Sequence, residues 1–100
     1  MQARTMSRIF GKKLYSSETA RLIASDSYWD GRSWDREGRN TFLFRTPNGH
    51  YFAQYQTKVR GEVNSIKPLE LDEAIALYGS LKKKEVRFMF AFPRVEVADA

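Results

Sequence analysis

Alternating apolar residues predict a β-hairpin in the middle of the chain. Residues 40–46 and 50–58 are both rich in aromatic and β-branched side chains, and Pro47, Asn48 and Gly49 separate them. Asn-Gly between two such runs is the strongest short-range signal for a hairpin. In the second strand the two faces are Tyr51, Ala53 and Tyr55 on one side and Phe52, Gln54 and Gln56 on the other. Because Phe42 and Phe44 alternate with Leu43, both faces carry apolar residues. The hairpin is therefore predicted to be central, covered on one face and partly shielded on the other.

A helical period predicts a helix over residues 71–81. Leu71, Ala74, Ile75 and Tyr78 fall on one face at spacings of three and four. Acidic residues lie in the first turn, and the lysines at 82–84 follow the last turn. The helix dipole favours this order of charges, so the lysines are explained as a cluster at the helix C-terminus.

The remaining elements are shorter. Residues 6–10 and 14–15 are predicted to be extended, with a turn between them. A helix is expected over about residues 17–24, because Ser16 and Ser17 suit its N-terminus and Glu18 its first turn. Residues 59–67 indicate a ragged strand that ends at Ile66, before Pro68. Residues 86–92 alternate as in a final strand, although so short an apolar run fits a helix equally well.

These elements give the order β-β-α-loop-β-β-α-β. We therefore predict an α+β fold, a small antiparallel sheet with two helices packed on one face. A chain of 100 residues fits one domain, 1–100. The ends, residues 1–5 and 97–100, are expected to be frayed.

Composition excludes several classes of protein. The chain is 42% hydrophobic and 14% aromatic, which is rich enough to form a core. It has no cysteine, and this rules out disulfides, thiol catalysis and cysteine-ligated metals. No apolar stretch is long enough for a membrane helix or a signal peptide, so we expect a cytoplasmic protein with no membrane partner.

The segment 26–39 is predicted to be a long polar loop and the partner-binding site. It has no regular period, and loops of this length in small domains are often functional. Its aromatic and arginine side chains are typical of protein-interface hot spots and of single-strand nucleic-acid platforms. The predicted contacts are Tyr28, Trp29, Arg32, Trp34, Arg36 and Arg39. In the alternative interpretation both tryptophans fold back as a lid on the core, and a mixed outcome is also open.

The charge distribution adds a second possibility, direct binding of nucleic acid. The net charge is +5, with an excess of +6 in residues 1–67 and −1 in residues 68–100. Such a field attracts acidic partners, although it also serves solubility alone. The candidate nucleic-acid contacts are Lys12, Lys13, Lys58 and Arg60.

No set of residues predicts catalysis. His50 is the only histidine, and no motif supplies a nucleophile or an orienting carboxylate beside it. The loop acids, Asp26, Asp30, Asp35 and Glu37, do not match the spacing of a calcium loop. We therefore expect a non-enzymatic protein with no catalytic residues, no cofactor and no metal.

Three segments together resemble a group of small, mostly uncharacterised proteins of bacteria, phages and mobile elements. Residues 12–20 contain K-x-Y-x-x-E-T-A, residues 43–52 contain L-F-R-T-x-x-G-x-Y-F, and residues 68–74 contain P-L-x-x-x-E-A. Anti-CRISPR inhibitors are among the proteins of this appearance. The resemblance implies a binding protein that inhibits a host nucleic-acid-handling complex, with a protein or protein–nucleic-acid complex as its partner. The oligomeric state is left open.

Overall fold

The computed structural model describes residues 2–100, which form an α+β fold of seven strands and two helices. These are β1 (Ser7–Phe10), β2 (Lys13–Ser16), β3 (Arg21–Ser25), β4 (Arg39–Arg45), β5 (Tyr51–Thr57), β6 (Ser65–Leu69), α1 (Leu71–Ser80), β7 (Lys83–Lys84) and α2 (Phe88–Ala91). One antiparallel sheet has the strand order β6-β5-β4-β3-β7, and β1 pairs with β2 in a separate ribbon. No helix within residues 2–100 is long and apolar enough to cross a membrane.

The predicted hairpin of β4 and β5 is confirmed and lies at the centre of the sheet. The two strands pair without interruption from Arg39 opposite Thr57 to Arg45 opposite Tyr51. Cross-strand partners share a face of the sheet. Leu43 and Ala53 thus lie on one face, and the stacked rings of Phe44 and Phe52, 5.1 Å apart, lie on the other.

Both helices pack on the Leu43 face, as the sequence predicts for a sheet with helices on one side. Two tyrosines add hydrogen bonds to this core: the Tyr51 hydroxyl donates to the Ala91 carbonyl at 2.5 Å, and the Tyr78 hydroxyl donates to the Val86 carbonyl at 2.6 Å. Burial raises the pKa of the Tyr78 hydroxyl. The buried residues of the core on this face are Ile23, Ala24, Leu43, Tyr51, Ala74, Tyr78, Leu81, Val86, Ala91 and Phe92.

The other face is covered by the β1–β2 ribbon and the N-terminal segment. Tyr15 of β2 packs edge-on against Phe52, with ring centroids 5.9 Å apart. Further along β5 the fully buried side chain of Gln54 donates to the Arg4 carbonyl at 2.7 Å. Gln56 accepts from the Arg4 N–H at 2.6 Å and donates to the Gln2 carbonyl at 3.0 Å. These bonds hold part of the segment that we expected to be frayed; Met1 lies outside the described residues.

The helix predicted over residues 17–24 is wrong. Residues 17–20 form a turn, in which the Ser16 hydroxyl accepts from the Glu18 N–H and the Ser17 hydroxyl donates to the Arg4 carbonyl. The chain then enters β3, which pairs with β4 on one side and β7 on the other. An isolated helix of two turns is only marginally stable in water. The backbone hydrogen bonds that β3 forms with a strand on each side stabilise the extended conformation more than a short helix would be stabilised. The serines therefore shape a turn that precedes a strand.

The final strand predicted over residues 86–92 is also wrong, and the helical alternative applies. Residues 88–91 form the one-turn helix α2. This turn brings Phe88 and Phe92 together, 4.9 Å apart, and both rings lie edge-on to Tyr78 at 5.8 and 5.5 Å. In a strand Phe88, Phe90 and Phe92 would share one face. The helix instead leaves Phe90 exposed while Phe92 is buried.

The two edge strands of the sheet differ from the expected pattern. β6 runs to Leu69 through Pro68, although Pro68 was expected to end it. An edge strand tolerates proline because one side of it needs no hydrogen bonds. At the other edge, the unpredicted β7 pairs only Lys83 and Lys84 with β3. The Lys84 ammonium donates to the carbonyls of Tyr78 and Leu81, so this lysine serves the C-terminus of α1 as predicted for the lysine cluster.

We predict that Phe92→Ala lowers the free energy of unfolding by about 3–5 kcal/mol, because it leaves a cavity between α2 and the sheet. Phe90→Ala is the matched control: this ring is 65% exposed, and its removal is expected to change stability by less than about 0.5 kcal/mol. Urea unfolding followed by circular dichroism measures both variants. Equal losses from the two substitutions would contradict the packing described for α2.

Candidate interaction surface

The polar segment between β3 and β4 is tied to the sheet at its base. Its first residue, Asp26, accepts hydrogen bonds through Oδ1 from the Thr41 N–H at 2.8 Å and the Asn40 amide at 2.9 Å. The Asn40 side chain is buried, and it also donates to the Trp34 carbonyl at 3.2 Å. Residues 26 and 34 are therefore fixed to the start of β4, and the loop has a defined shape.

Asp30 organises the tip of the loop. Its Oδ1 accepts from the backbone N–H groups of Arg32 and Ser33, each at 2.8 Å, an arrangement typical of aspartate in turns. Both hydrogen bonds lower the pKa of the Asp30 carboxyl, and the bond from the Ser33 N–H has the larger effect. The carboxylate is thus part of the loop's own scaffold.

Asp35 fixes the exit of the loop. Its Oδ1 accepts from the Gly38 N–H at 2.8 Å, and its Oδ2 lies 2.7 Å from the Lys58 ammonium. The hydrogen bond from Lys58, followed by that from Gly38, lowers the pKa of Asp35 from 3.8 to about 2. Gly38 must be glycine here, because its φ is +86° and a Cβ would lie 3.0 Å from Val59 Cγ2.

A tight turn that the sequence did not predict closes the loop onto β4. Arg36 and Arg39 exchange two backbone hydrogen bonds, at 2.8 and 3.2 Å. The two residues between them, Glu37 and Gly38, both have positive φ, at 58° and 86°. Positive φ at both central positions is the geometry of a type I′ hairpin turn. The glutamate at the first position hides this signal, because asparagine, aspartate or glycine is usual there.

Two of the predicted contact arginines are engaged by other groups of the protein. The Arg36 guanidinium donates to the carbonyls of Tyr28 and Ser33, each at 3.0 Å, and lies 4.1 Å above the Tyr28 ring. Arg39 forms a bidentate ion pair with Glu62, in which its Nη2 is 2.6 Å from Oε2. Arg36, Arg39 and Tyr28 are thus engaged in contacts within the protein, and their availability to a partner is reduced.

The two tryptophans lie side by side and face outward. Trp29 is 53% exposed and Trp34 is 52% exposed, and their ring centroids are 5.9 Å apart. They do not fold back over the core. Beside them is an open groove of about 490 Å³, whose lining includes Arg4 and Arg32. We call the surface formed by Trp29, Trp34, Arg32 and Arg4 the tryptophan face.

Arg4 was not predicted to belong to this surface. It lies there because Gln54 and Gln56 hold the N-terminal segment across the sheet. The sequence contains one signal for this position of the N-terminal segment. Two glutamines on a buried face of β5 need hydrogen-bond partners, which another segment has to supply. Neither Arg4 nor Arg32 forms an ion pair with any acid of residues 2–100.

The candidate nucleic-acid contacts do not form one patch. Lys12 and Lys13 border a depression beside residues 46–50, at the end of the sheet where β5 begins. Lys58 and Arg60 follow the other end of β5, which is seven residues long, or roughly 20 Å. Lys58 is also paired with Asp35. Of these four residues, only Lys58 lines the groove beside the tryptophans.

The structure assigns His50 a position at the hairpin turn. The ring is exposed and lies edge-on to Tyr15 at 6.4 Å, and the His50 N–H donates to the Thr46 hydroxyl at 3.0 Å. Across the part of the chain that the structure describes, no group of three or more histidine and acidic side chains is placed to hold a metal ion. Three of the loop acids, Asp26, Asp30 and Asp35, instead accept hydrogen bonds from backbone N–H groups.

We predict that Asp35→Asn reduces the loss of stability in acid. Because folding lowers the pKa of Asp35 from 3.8 to about 2, its contribution is complete above about pH 4 and is lost as the pH falls toward 2. The melting temperature of the variant should therefore fall less between pH 4 and 2 than that of the wild type. Asp99→Asn, an exposed acid near the chain end, should leave the wild-type slope unchanged; identical slopes for all three proteins would contradict the prediction.

No protein-family model, curated protein or solved structure matches the chain. The resemblance to small phage and mobile-element proteins stays a prediction from three short motifs.

Proposed function

We propose that this protein is a non-enzymatic binding protein that contacts another macromolecule through the tryptophan face. One observation carries the proposal: two tryptophans, each more than half exposed, stand next to each other on a loop that partly buried hydrogen bonds hold in place. Exposed apolar rings in contact with each other offer area that a partner can remove from water.

The fixed loop favours binding. A loop that is already ordered loses little conformational entropy when a partner docks on it. Asp26, Asp30 and Asp35 each accept backbone N–H groups from the loop or its base. These three carboxylates thus accept hydrogen bonds that fix the shape of the loop. This supports a role in presenting the tryptophans to a partner rather than in proton transfer.

The chemistry of the face favours a protein partner. Tryptophan and arginine are the residues most enriched in interface hot spots, where a few side chains carry most of the binding energy. Arg32 and Arg4 border the rings without acidic partners among residues 2–100. Their guanidinium groups are suited to carboxylates on the partner's surface. We therefore propose a partner with an apolar pocket flanked by acidic residues.

A narrower proposal concerns the biological setting. The three sequence motifs that resemble phage and mobile-element proteins support an inhibitor of a host nucleic-acid-handling complex, of the anti-CRISPR kind, acting in the cytoplasm. The net charge of +5 does not suit a mimic of DNA. On this proposal the inhibitor occupies a protein surface of the complex or engages its nucleic acid.

Affinity capture tests the proposed face. Tagged wild-type protein is expected to retain a specific partner from a lysate of the host, and the double variant Trp29→Ala/Trp34→Ala is expected to lose it. With the purified partner, each single substitution should weaken binding by at least about 30-fold, the effect of losing a hot spot. Phe90→Ala removes an exposed ring outside the face and should bind as the wild type does. Retention by the double variant, or equal loss with Phe90→Ala, would contradict the proposal.

A second candidate function is binding of single-stranded nucleic acid by the same face. The observation that favours it is that Arg4 and Arg32, which form no ion pair within residues 2–100, lie beside two exposed rings. Bases stack on aromatic side chains with little sequence preference, while arginines contact the phosphates. This candidate differs from the first in its dependence on salt.

Titration with labelled oligothymidine separates the two candidates. If the face binds nucleic acid, the logarithm of the binding constant falls with the logarithm of salt concentration by about 0.7 for each phosphate contact. Arg32→Gln should then reduce the slope by about 0.7, and the double tryptophan variant should bind far more weakly at every salt concentration. Fluorescence anisotropy of the oligonucleotide measures all three proteins. This candidate is ruled out if neither Arg32→Gln nor the double tryptophan variant changes the binding, or if no binding is seen at low salt.

A further inference from the structure

A separate cleft lies at the other end of the central hairpin. It is formed where β4 ends, β5 begins, α1 starts and the chain passes residues 92–95. Its volume is about 240 Å³. Arg45 and Arg94 line it together with His50, and the accessible residues Leu71, Pro93 and Val95 form an apolar part of its wall. The cleft thus combines two arginines with apolar surface.

The Arg45 side chain has no hydrogen-bond or ion-pair partner among residues 2–100. Its Nε is buried and finds no acceptor in that part of the chain. Its guanidinium forms no ion pair with any acid of residues 2–100, and the same is true of Arg94. The residue opposite Arg45 on β3 is Arg21, another cation. Like charges placed opposite each other in a sheet repel, so the strand pairing increases the demand for an anion at this position.

Gly49 leaves room for the Arg45 side chain. A Cβ at position 49 would lie 3.3 Å from Arg45 Nη2, and the φ of +84° suits glycine in any case. The hairpin turn and the guanidinium therefore fit closely together. The one acid in the lining, Glu70, takes part in the capping box of α1 with Glu73, so its carboxylate is directed to the helix backbone.

We propose that this cleft binds an oxyanion, a carboxylate or a phosphate, carried on a small apolar group. Two guanidinium groups offer the forked donors that fit such anions, and Leu71, Pro93 and Val95 contact the apolar part. Typical ligand pockets have volumes of about 300–1,000 Å³. A cleft of about 240 Å³ suits one charged end group with one ring, so the bound group is either a small free ligand or the end of a longer one. This site is distinct from the tryptophan face and goes beyond the proposed function.

Nuclear magnetic resonance of the ¹⁵N-labelled full-length chain tests the site with three probes: inorganic phosphate, phenyl phosphate and benzoate. The Nε–Hε signals of Arg45 and Arg94 should shift with each probe that binds, together with the backbone signals of Gly49 and Tyr51. Phenyl phosphate should bind more tightly than inorganic phosphate, because its ring contacts the apolar wall. A preference for benzoate over phenyl phosphate assigns a carboxylate, and the reverse preference assigns a phosphate.

Three substitutions make the test specific. Arg45→Gln and Arg94→Gln should each weaken phenyl phosphate binding by about tenfold, the effect of losing a charged hydrogen bond. Arg60→Gln removes the same charge beyond the opposite end of β5 and should change the affinity less than twofold. Arg94 lies outside the strands and helices, so its variant remains informative if Arg45→Gln fails to fold. Equal weakening by Arg60→Gln, shifts spread over all arginines, or no binding of any probe would overturn the proposal.

Discussion

The pairing of β4 with β5 is the interaction on which the rest of the structure depends. Seven residues of each strand lie in one continuous register, so Leu43 shares a face with Ala53 and Phe44 shares the other face with Phe52. A slip by one residue would move every side chain to the opposite face. Since both faces carry large apolar groups, each needs a cover. Helices α1 and α2 supply one cover, and the β1–β2 ribbon with the N-terminal segment supplies the other.

The two candidate sites lie at opposite ends of this hairpin, and both take their geometry from it. At the Arg39 end, Asn40 and Thr41 hold Asp26 and so fix the loop that carries the tryptophans. At the Arg45 end, the turn at Gly49 sets the position of the Arg45 guanidinium. A change in the pairing of β4 and β5 would therefore disturb both surfaces together, while substitutions on one surface leave the other intact.

The sequence predicts those elements in which local pattern and long-range packing agree. The Asn-Gly turn specifies the hairpin, and the apolar spacing and flanking charges of α1 specify that helix. Prediction failed over residues 17–24 and 86–92, where short apolar runs fit two periods. Pairing with β4 and β7 decided the first as a strand, and the contact of Phe88 and Phe92 with Tyr78 decided the second as a helix. Both decisions depend on residues distant in the sequence.

The candidate interaction surface was predictable in composition and not in detail. Aromatic and basic residues in an irregular segment indicated a contact loop, and the structure places both tryptophans outward. The sequence could not assign the arginines, since those that bind the loop and those that face solvent have the same side chain. Arg36 and Arg39 are recruited by Tyr28 and Glu62, whereas Arg32 is left free of ion pairs with residues 2–100. Such distinctions arise only when the turns bring each guanidinium to its acceptor.

The two edge strands of the five-stranded sheet, β6 and β7, affect how the protein behaves at high concentration. An open strand edge is a template on which a further chain can add, and this is one route to fibrils. Pro68 interrupts the row of donors along β6, Lys67 beside it adds charge, and β7 extends over two lysines only. Neither edge offers a long, flat, uncharged row of backbone groups. Growth of this sheet from molecule to molecule is thereby discouraged.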